Sequence, residues 1–423
     1  MRQVLADRNA RLYFLGQSLS IFGDSSLWLA VGIWMKVLTG SNAQAGFVFT
    51  AFVLGTLFAP LCGVLVDRVR RRPLLIVANL VSSVYLLSLL TVNDRTDIWL
   101  LYVVMFVYGV GNGLFDSAQA ALIPSMISDD VLPEANAVLQ TARQIARLIS
   151  PLVGAGMFTT LGAHSVVLLD SVSFVVAALL LWLIRAEEER PEPSSTHWRA
   201  EFVEGAQHIR SNPALRRMTI AMFAAMAVWG FFETIFFAVL DSVHRSPSFF
   251  GVLMTLQGVG AVIAGPTAAL VLRRVGETLT AAISLLVFAA AAALLIPAWL
   301  PTALAGCFLI GFGLPWTIVG FTTLIQRRTP SRLRGRAYAA FDVVTNSPQM
   351  ASTGYGAALI IVLDYRLLLV AMIIVFTASS LYLVPGARAD HLDSAEPAID
   401  TREAAERAAG NLLEGTVISG PAR

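Results

Sequence analysis

Apolar runs of about twenty residues recur along nearly the whole chain, separated by short charged or proline-broken hinges. An α-helix rising ~1.5 Å per residue needs about this many residues to cross the ~30 Å hydrocarbon core of a bilayer. Twelve runs lie near 11–38, 43–66, 74–92, 98–123, 134–160, 163–185, 215–240, 248–272, 278–297, 301–326, 334–362 and 364–385. Lipid offers no partner to a backbone N–H or C=O, so such runs must be helical. The expectation is an all-α membrane protein with twelve transmembrane helices. Composition agrees: 56% of the 423 residues are hydrophobic and 14% charged, against ~25% charged in an ordinary soluble domain.

Charge placement predicts orientation. Arg2, Arg8, Arg11, the hinge Arg68 to Arg72, the stretch from Arg185 to Arg217, Arg273, Arg274 and the segment Arg327 to Arg336 all fall on the side of the N-terminus. Lys36, Arg95, Arg245 and Arg366 fall opposite. By the positive-inside rule both termini are expected in the cytoplasm.

Segment 186–214 divides the runs six and six, predicting an N-terminal bundle over 1–185 and a C-terminal bundle over 215–385, with a hydrophilic tail over 386–423. The segment opens on Glu187-Glu188-Glu189-Arg190-Pro191, too charged and broken to enter lipid. Trp198, Phe202, Ala206 and Ile209 then share one helical face, which predicts an amphipathic helix on the inner leaflet or a solvated linker helix. The halves also repeat weakly: Gly46, Gly55, Ala59 and Arg68 recur as Gly251, Gly260, Ala264 and Arg273 at an offset of 205.

Several function classes are excluded. Lys36 is the only lysine, so a G-x-x-x-x-G-K-[ST] phosphate loop is absent. Cys62 and Cys307 stand alone in separate runs, and His164, His197, His208, His244 and His391 have no ligand spacing, so no metal is expected. No nucleophile with its base is visible, arguing against an enzyme. A net charge of +2 with dispersed basic residues gives no reason to expect a nucleic-acid partner.

Charges inside the runs point to function, because a charge in hydrocarbon costs roughly 2.5–3.5 kcal/mol on insertion scales and needs a partner, water or a task. Gln17, Ser20, Asp24 and Trp28 form one stripe on the first run. The fourth run carries Asn112, Asp116 and Gln119, and the fifth Gln140, Arg143, Gln144 and Arg147. Asp116 and Arg143 lie at comparable depth, predicting an ion pair, with Arg147 as the alternative partner. One carboxylate cannot neutralise both, so the second arginine is left for Asp24 or for an anionic group on substrate or lipid. Asp170 with Ser171 and Ser173 on the sixth run, and Asp342 with Thr345, Asn346 and Gln349 on the eleventh, complete the inventory. Glu233 stands beside Trp229, Phe232, Phe236 and Phe237 and is a candidate proton carrier. Each of these charges has a purely structural alternative, in which it satisfies a neighbouring helix.

The hinge after the second run, Gly63-Val64-Leu65-Val66-Asp67-Arg68-Val69-Arg70-Arg71-Arg72-Pro73-Leu74-Leu75, resembles the signature loop between helices 2 and 3 of the major facilitator superfamily. Gly63, Leu65, Asp67, Arg68, Arg71, Arg72 and Leu75 match that pattern, and Arg70 replaces its second glycine. Other segments resemble the bacterial branch that holds macrolide and multidrug efflux pumps and the enterobactin exporter. They are Gly23-Asp24, the stretch Phe115 to Pro124, Ala135-Asn136-Ala137, Ser150-Pro151-Leu152-Val153-Gly154, Asp170-Ser171-Val172-Ser173-Phe174 and Arg334-Gly335-Arg336. Two departures stand out: the fourth run lacks the membrane arginine of many proton antiporters, and Ser150 replaces the first glycine of the fifth-helix proline-glycine element.

The resemblance implies two pseudo-symmetric six-helix bundles, the major facilitator fold, rocking about a central cavity by alternating access. It further implies export of amphipathic drug-like molecules from a bacterial cytoplasmic membrane, with the proton gradient as energy source and no cofactor. Asp24, Asp116 and Glu233 are the candidate proton carriers. Gln17, Trp28, Asn112, Trp229, Phe232, Phe236, Trp316 and Asn346 are candidate cavity residues. Asp67 with Arg336, or with exposed amides near it, is a candidate cytoplasmic latch. The expected partners are a small-molecule substrate and membrane lipid, with the chain a monomer. A dedicated siderophore or metabolite exporter, a lysolipid transporter or scramblase without proton coupling, and a sensor remain open at this point.

Overall fold

The structure, a computed structural model, describes residues 7–66, 68–126, 132–184, 198–330 and 333–385, and the described residues form helices joined by short turns. They are α1 (Arg8–Thr39), α2 (Asn42–Thr56), α3 (Ala59–Val66), α4 (Arg71–Leu87), α5 (Ile98–Met126), α6 (Leu132–Leu161), α7 (Ala163–Leu183), α8 (Trp198–Ser211), α9 (Pro213–Trp229), α10 (Phe231–Ser242), α11 (Phe250–Val275), α12 (Glu277–Leu294), α13 (Leu300–Arg328), α14 (Arg334–Leu359) and α15 (Tyr365–Pro385). Local chemistry marks their ends. Asp7 accepts the Ala10 amide at 2.7 Å to start α1, and Gly40 closes it at φ 69°, a conformation most side chains resist. Asn212 caps α9, with Pro213 at its first position.

Nine helices among the described residues are long and apolar enough to cross a membrane. The other three expected runs are also helical but fall short of that mark. The run 43–66 breaks at Leu57 and Phe58 into α2 and α3, where Pro60 supplies no backbone N–H. Helix α6 carries Glu134, Arg143 and Arg147, and α14 carries Arg334, Arg336 and Asp342.

Within the first half α1 packs on α6 and α7, and α2 on α5; within the second α11 and α12 pack on α13. Lipid removes the hydrophobic drive between helices, so close backbone approach at small residues must hold them. A Cβ on Gly55 would stand 2.1 Å from Phe106 O, and one on Gly109 2.0 Å from Phe52 O. The second half repeats the arrangement: Gly260 would meet Phe308 O at 2.2 Å and Gly311 would meet Gln257 O at 1.7 Å. The weak sequence repeat is thus a repeated helix crossing.

The halves meet through α6 on α11 and α2 on α14. Gly251 lies against Pro151 and Ala155, and Gly46 against Thr234 and Ala357. Lys36 Nζ reaches Asp241 Oδ2 at 2.6 Å. These contacts all lie toward the end of the bundle that α1 reaches at Thr39, away from Asp7.

Candidate functional site

A cavity of about 760 Å³ lies between the halves. Its wall includes Asp24, Trp28, Phe52, Tyr85, Tyr108, Asn112, Phe115, Gln144, Phe174, Trp229, Glu233, Phe250 and Gln257, and no lysine, arginine or histidine among the described residues. A volume of this order suits a drug-sized molecule. Trp28 is held by Phe49 and Phe52, ring centroids at 4.6 and 4.7 Å, and Trp229 by Phe288 at 4.9 Å, so the large aromatic surfaces are fixed rather than loose.

Asp24 faces the cavity halfway along α1 and accepts a hydrogen bond from Tyr108 Oη at 2.6 Å. The same hydroxyl lies 3.4 Å from Asp170 Oδ2. Asp170 is fully buried behind this wall. Gly23 makes room for it: a Cβ there would stand 2.4 Å from Asp170 Oδ1.

Glu233 reaches the wall from the second half. The seventh run is interrupted at Gly230, whose N–H donates to Ser352 Oγ at 2.9 Å and whose missing Cβ would lie 2.3 Å from Thr353 N. The interruption starts α10 afresh and puts Glu233 in its first turn, where the positive end of the helix dipole favours a carboxylate.

Of the other expected positions, Asp116 and Arg143 stand 3.6 Å apart at the exposed side of α5 and α6, and Asn112 Nδ2 donates to Asp116 at 3.2 Å. Trp28, Asn112 and Trp229 line the cavity. Phe232, Phe236, Trp316, Gln17 and Asn346 do not. Phe232 and Phe236 stack on each other at 5.6 Å in the buried core. Trp316 turns its indole to Thr267 Oγ1 at 2.9 Å on α11. Asn346 and Asp342 sit exposed on α14, off the wall. No arginine pairs with Asp24 among the described residues; the side chain of Arg147 lies outside them.

Of the hinge, Asp67 lies outside the described residues. Arg72 bonds the end of α7, with Nε to Leu181 O at 2.9 Å and Nη2 to Trp182 O at 2.8 Å, so it anchors α4 to α7 as well as contributing charge. Arg336 is bound by Glu204 of α8. That helix docks on α14, where a Cβ on Gly205 would stand 2.2 Å from Arg336 O, and Ile209 is buried; it packs on protein rather than on lipid alone. Sequence reasoning missed Tyr108, although its four-residue spacing from Asn112 and Asp116 on α5 was available. It also missed the pairing of Lys36 with Asp241.

A multi-pass helical bundle with an aromatic, acidic cavity between two repeated halves defines a membrane transporter. A profile of the Major Facilitator Superfamily matches residues 13–241 and 218–409, and the chain belongs to that superfamily. The chain is 23% identical over 259 residues to "Macrolide efflux protein A" of Streptococcus pyogenes, a match covering 59% of this chain and 63% of that one, less than two thirds of its length. It is 25% identical over 398 residues to "Multidrug efflux pump Tap" of Mycolicibacterium fortuitum, covering 87% and 96%. It is also 25% identical over 341 residues to "Enterobactin exporter EntS" of Escherichia coli, covering 77% and 79%. Among solved structures the same fold appears in a bacterial homologue of the iron transporter ferroportin in an inward-facing state, TM-score 0.68 at 18% identity, covering 90% of this chain and 98% of that one.

Proposed function

We propose that the chain is a proton-coupled exporter of amphipathic, cationic, drug-like molecules, working by alternating access in a bacterial cytoplasmic membrane with both termini inside. The observation that carries this reading is the pair of carboxyl side chains, Asp24 from the first half and Glu233 from the second, on an aromatic wall that holds no basic side chain among the described residues. Carboxylates attract a protonated amine or quaternary nitrogen, and Trp and Phe faces bind the cation and its apolar body together. A proton neutralises the same carboxylate, so proton and cation compete, and that competition is what antiport needs. The halves touch near Lys36 and Asp241, at the end of α1 away from the termini, which supports access from the side of the termini, the cytoplasmic side by the positive-inside rule. Likeness to drug efflux pumps supports the substrate class.

The test is ethidium flux in liposomes holding the full chain, with an imposed pH gradient. Flux that follows the gradient, and is lost in Asp24→Asn, supports the reading. Gradient-independent movement of lysolipid without ethidium flux would replace it with a lipid-handling role, and flux of a catechol siderophore alone with dedicated metabolite export.

A further inference from the structure

Asp24 and Asp170 belong to different helices, and one hydroxyl stands between them: Tyr108 Oη is 2.6 Å from Asp24 Oδ1 and 3.4 Å from Asp170 Oδ2. A tyrosine has one proton to donate, and the shorter distance gives it to Asp24. The other donor near Asp170 is Ser173, whose single hydroxyl proton lies 2.8 Å from the Asp170 backbone carbonyl and 3.2 Å from its Oδ1. The closer acceptor is again not the carboxylate. Among the described residues no lysine or arginine forms an ion pair with either aspartate. With both groups ionised, Asp170 would therefore be a fully buried carboxylate held only by the two longer contacts, 3.4 Å from Tyr108 Oη and 3.2 Å from Ser173 Oγ, each from a hydroxyl with a closer acceptor, a state that costs several kcal/mol. One proton on Asp170 resolves the count. Asp170 then donates to Tyr108 Oη and Tyr108 donates to Asp24, so the proton of each donor in this relay has an acceptor.

We infer that Asp24 and Asp170 form a single site of one net negative charge, in which Asp170 keeps a proton while Asp24 exchanges a second proton for a monovalent organic cation. The inference rests on the proposed function for its substrate, and it adds a hidden positioning residue, a linking hydroxyl and a stoichiometry. When the cation arrives, the Asp24 carboxyl proton leaves to water and the carboxylate takes the cation. When a proton returns to Asp24 Oδ, the cation leaves. Both occupants carry one positive charge, so exchange at this pair is one for one. Among the described residues, the groups around the pair do not supply a second charge. Asp116 and Arg143 answer each other at 3.6 Å, while Tyr85 on α4, Asn112 on α5 and Gln144 on α6 are neutral wall residues. Glu233 faces the cavity from the other half and belongs to the cation rather than to the pair.

The experiment is infrared spectroscopy of the full chain in liposomes at neutral pH with saturating ethidium, comparing wild type, Asp170→Asn and Tyr108→Phe. A protonated-carboxyl C=O stretch is expected in the wild type, lost in Asp170→Asn and shifted in Tyr108→Phe, which keeps the ring and removes only the hydroxyl that receives the proton. A band that persists unchanged in both variants, or is absent from the wild type, overturns the inference. Should Asp170→Asn fail to fold, the Tyr108→Phe shift decides alone. If ethidium neither binds nor moves in the wild type, the proposed function fails, while the same band measured without ethidium still reports whether Asp170 holds its proton.

Discussion

Lys36 Nζ lies 2.6 Å from Asp241 Oδ2, and Asn42 binds both partners, its Oδ1 2.6 Å from Lys36 Nζ and its Nδ2 3.0 Å from Asp241 Oδ2. The chain's only lysine therefore ties α1 and α2 to α10 across the two halves. Its side chain is 8% exposed, whereas that of Asp241 is 47% exposed, so the pair is partly screened. Charge-assisted bonds of this kind contribute about 1–2 kcal/mol after that discount. Lys36→Met is expected to shift the balance toward opening at this end by about five- to thirtyfold. Spin labels at Thr96 and Thr302 would report it as a longer distance population; an unchanged distribution would show that the pair does not hold the halves together.

The glycine crossings predict a sharp contrast in stability. Gly311→Ala places a Cβ against the Gln257 carbonyl, which is backbone and cannot swing away, so α11 and α13 must separate. The expected loss is about 1–3 kcal/mol. Gly156→Ala meets open space and relieves the helical cost of glycine, so it should be neutral or stabilising by up to ~1 kcal/mol. Thermal unfolding in detergent measures both, and equal behaviour of the two variants would reject this account of the crossing.

Docking of α8 on α14 separates packing from charge in the same way. The Arg336 and Glu204 side chains are 36% and 42% exposed, so Glu204→Gln should cost no more than ~1 kcal/mol. Gly205→Leu instead drives a side chain into the Arg336 backbone and should release the helix. Amide hydrogen exchange over residues 198–211 should rise strongly in the second variant and little in the first. The reverse order would assign the docking to the ion pair.

The aromatic wall predicts where affinity resides. Trp28 faces the cavity with its ring braced by Phe49 and Phe52, and removing its face with Trp28→Leu should weaken ethidium binding by about three- to thirtyfold. Trp316→Leu, off the wall, should change binding by less than about twofold, since its indole is committed to Thr267 on α11. Fluorescence titration of ethidium distinguishes the two positions.

Much of the fold was legible because the bilayer leaves a long apolar segment few options. The helical state of the apolar runs and the charged positions of α1, α5 and α10 could be read along the chain. The spacing that aligned Asp116 with Arg143 worked because α5 and α6 are chain neighbours, and comparable distance from their shared hinge put the two side chains at similar depth. The aromatic positions were harder. Trp28, Phe232, Phe236 and Trp316 look alike as residues in apolar runs, yet only Trp28 reaches the cavity; the others turn to the core or to α11.

By itself the sequence determined that this chain is a helical membrane protein, that it bears the hinge of its superfamily, and that it holds carboxyl groups in lipid-length segments. Those properties follow from periodicity, hydropathy and local spacing, which act within one helix. Only the tertiary structure decided that Tyr108 joins Asp24 to Asp170, that Lys36 meets Asp241, and that Glu204 holds Arg336. Those partners lie on different helices, and glycine-sized gaps at the crossings decide which helices approach closely enough for them to meet.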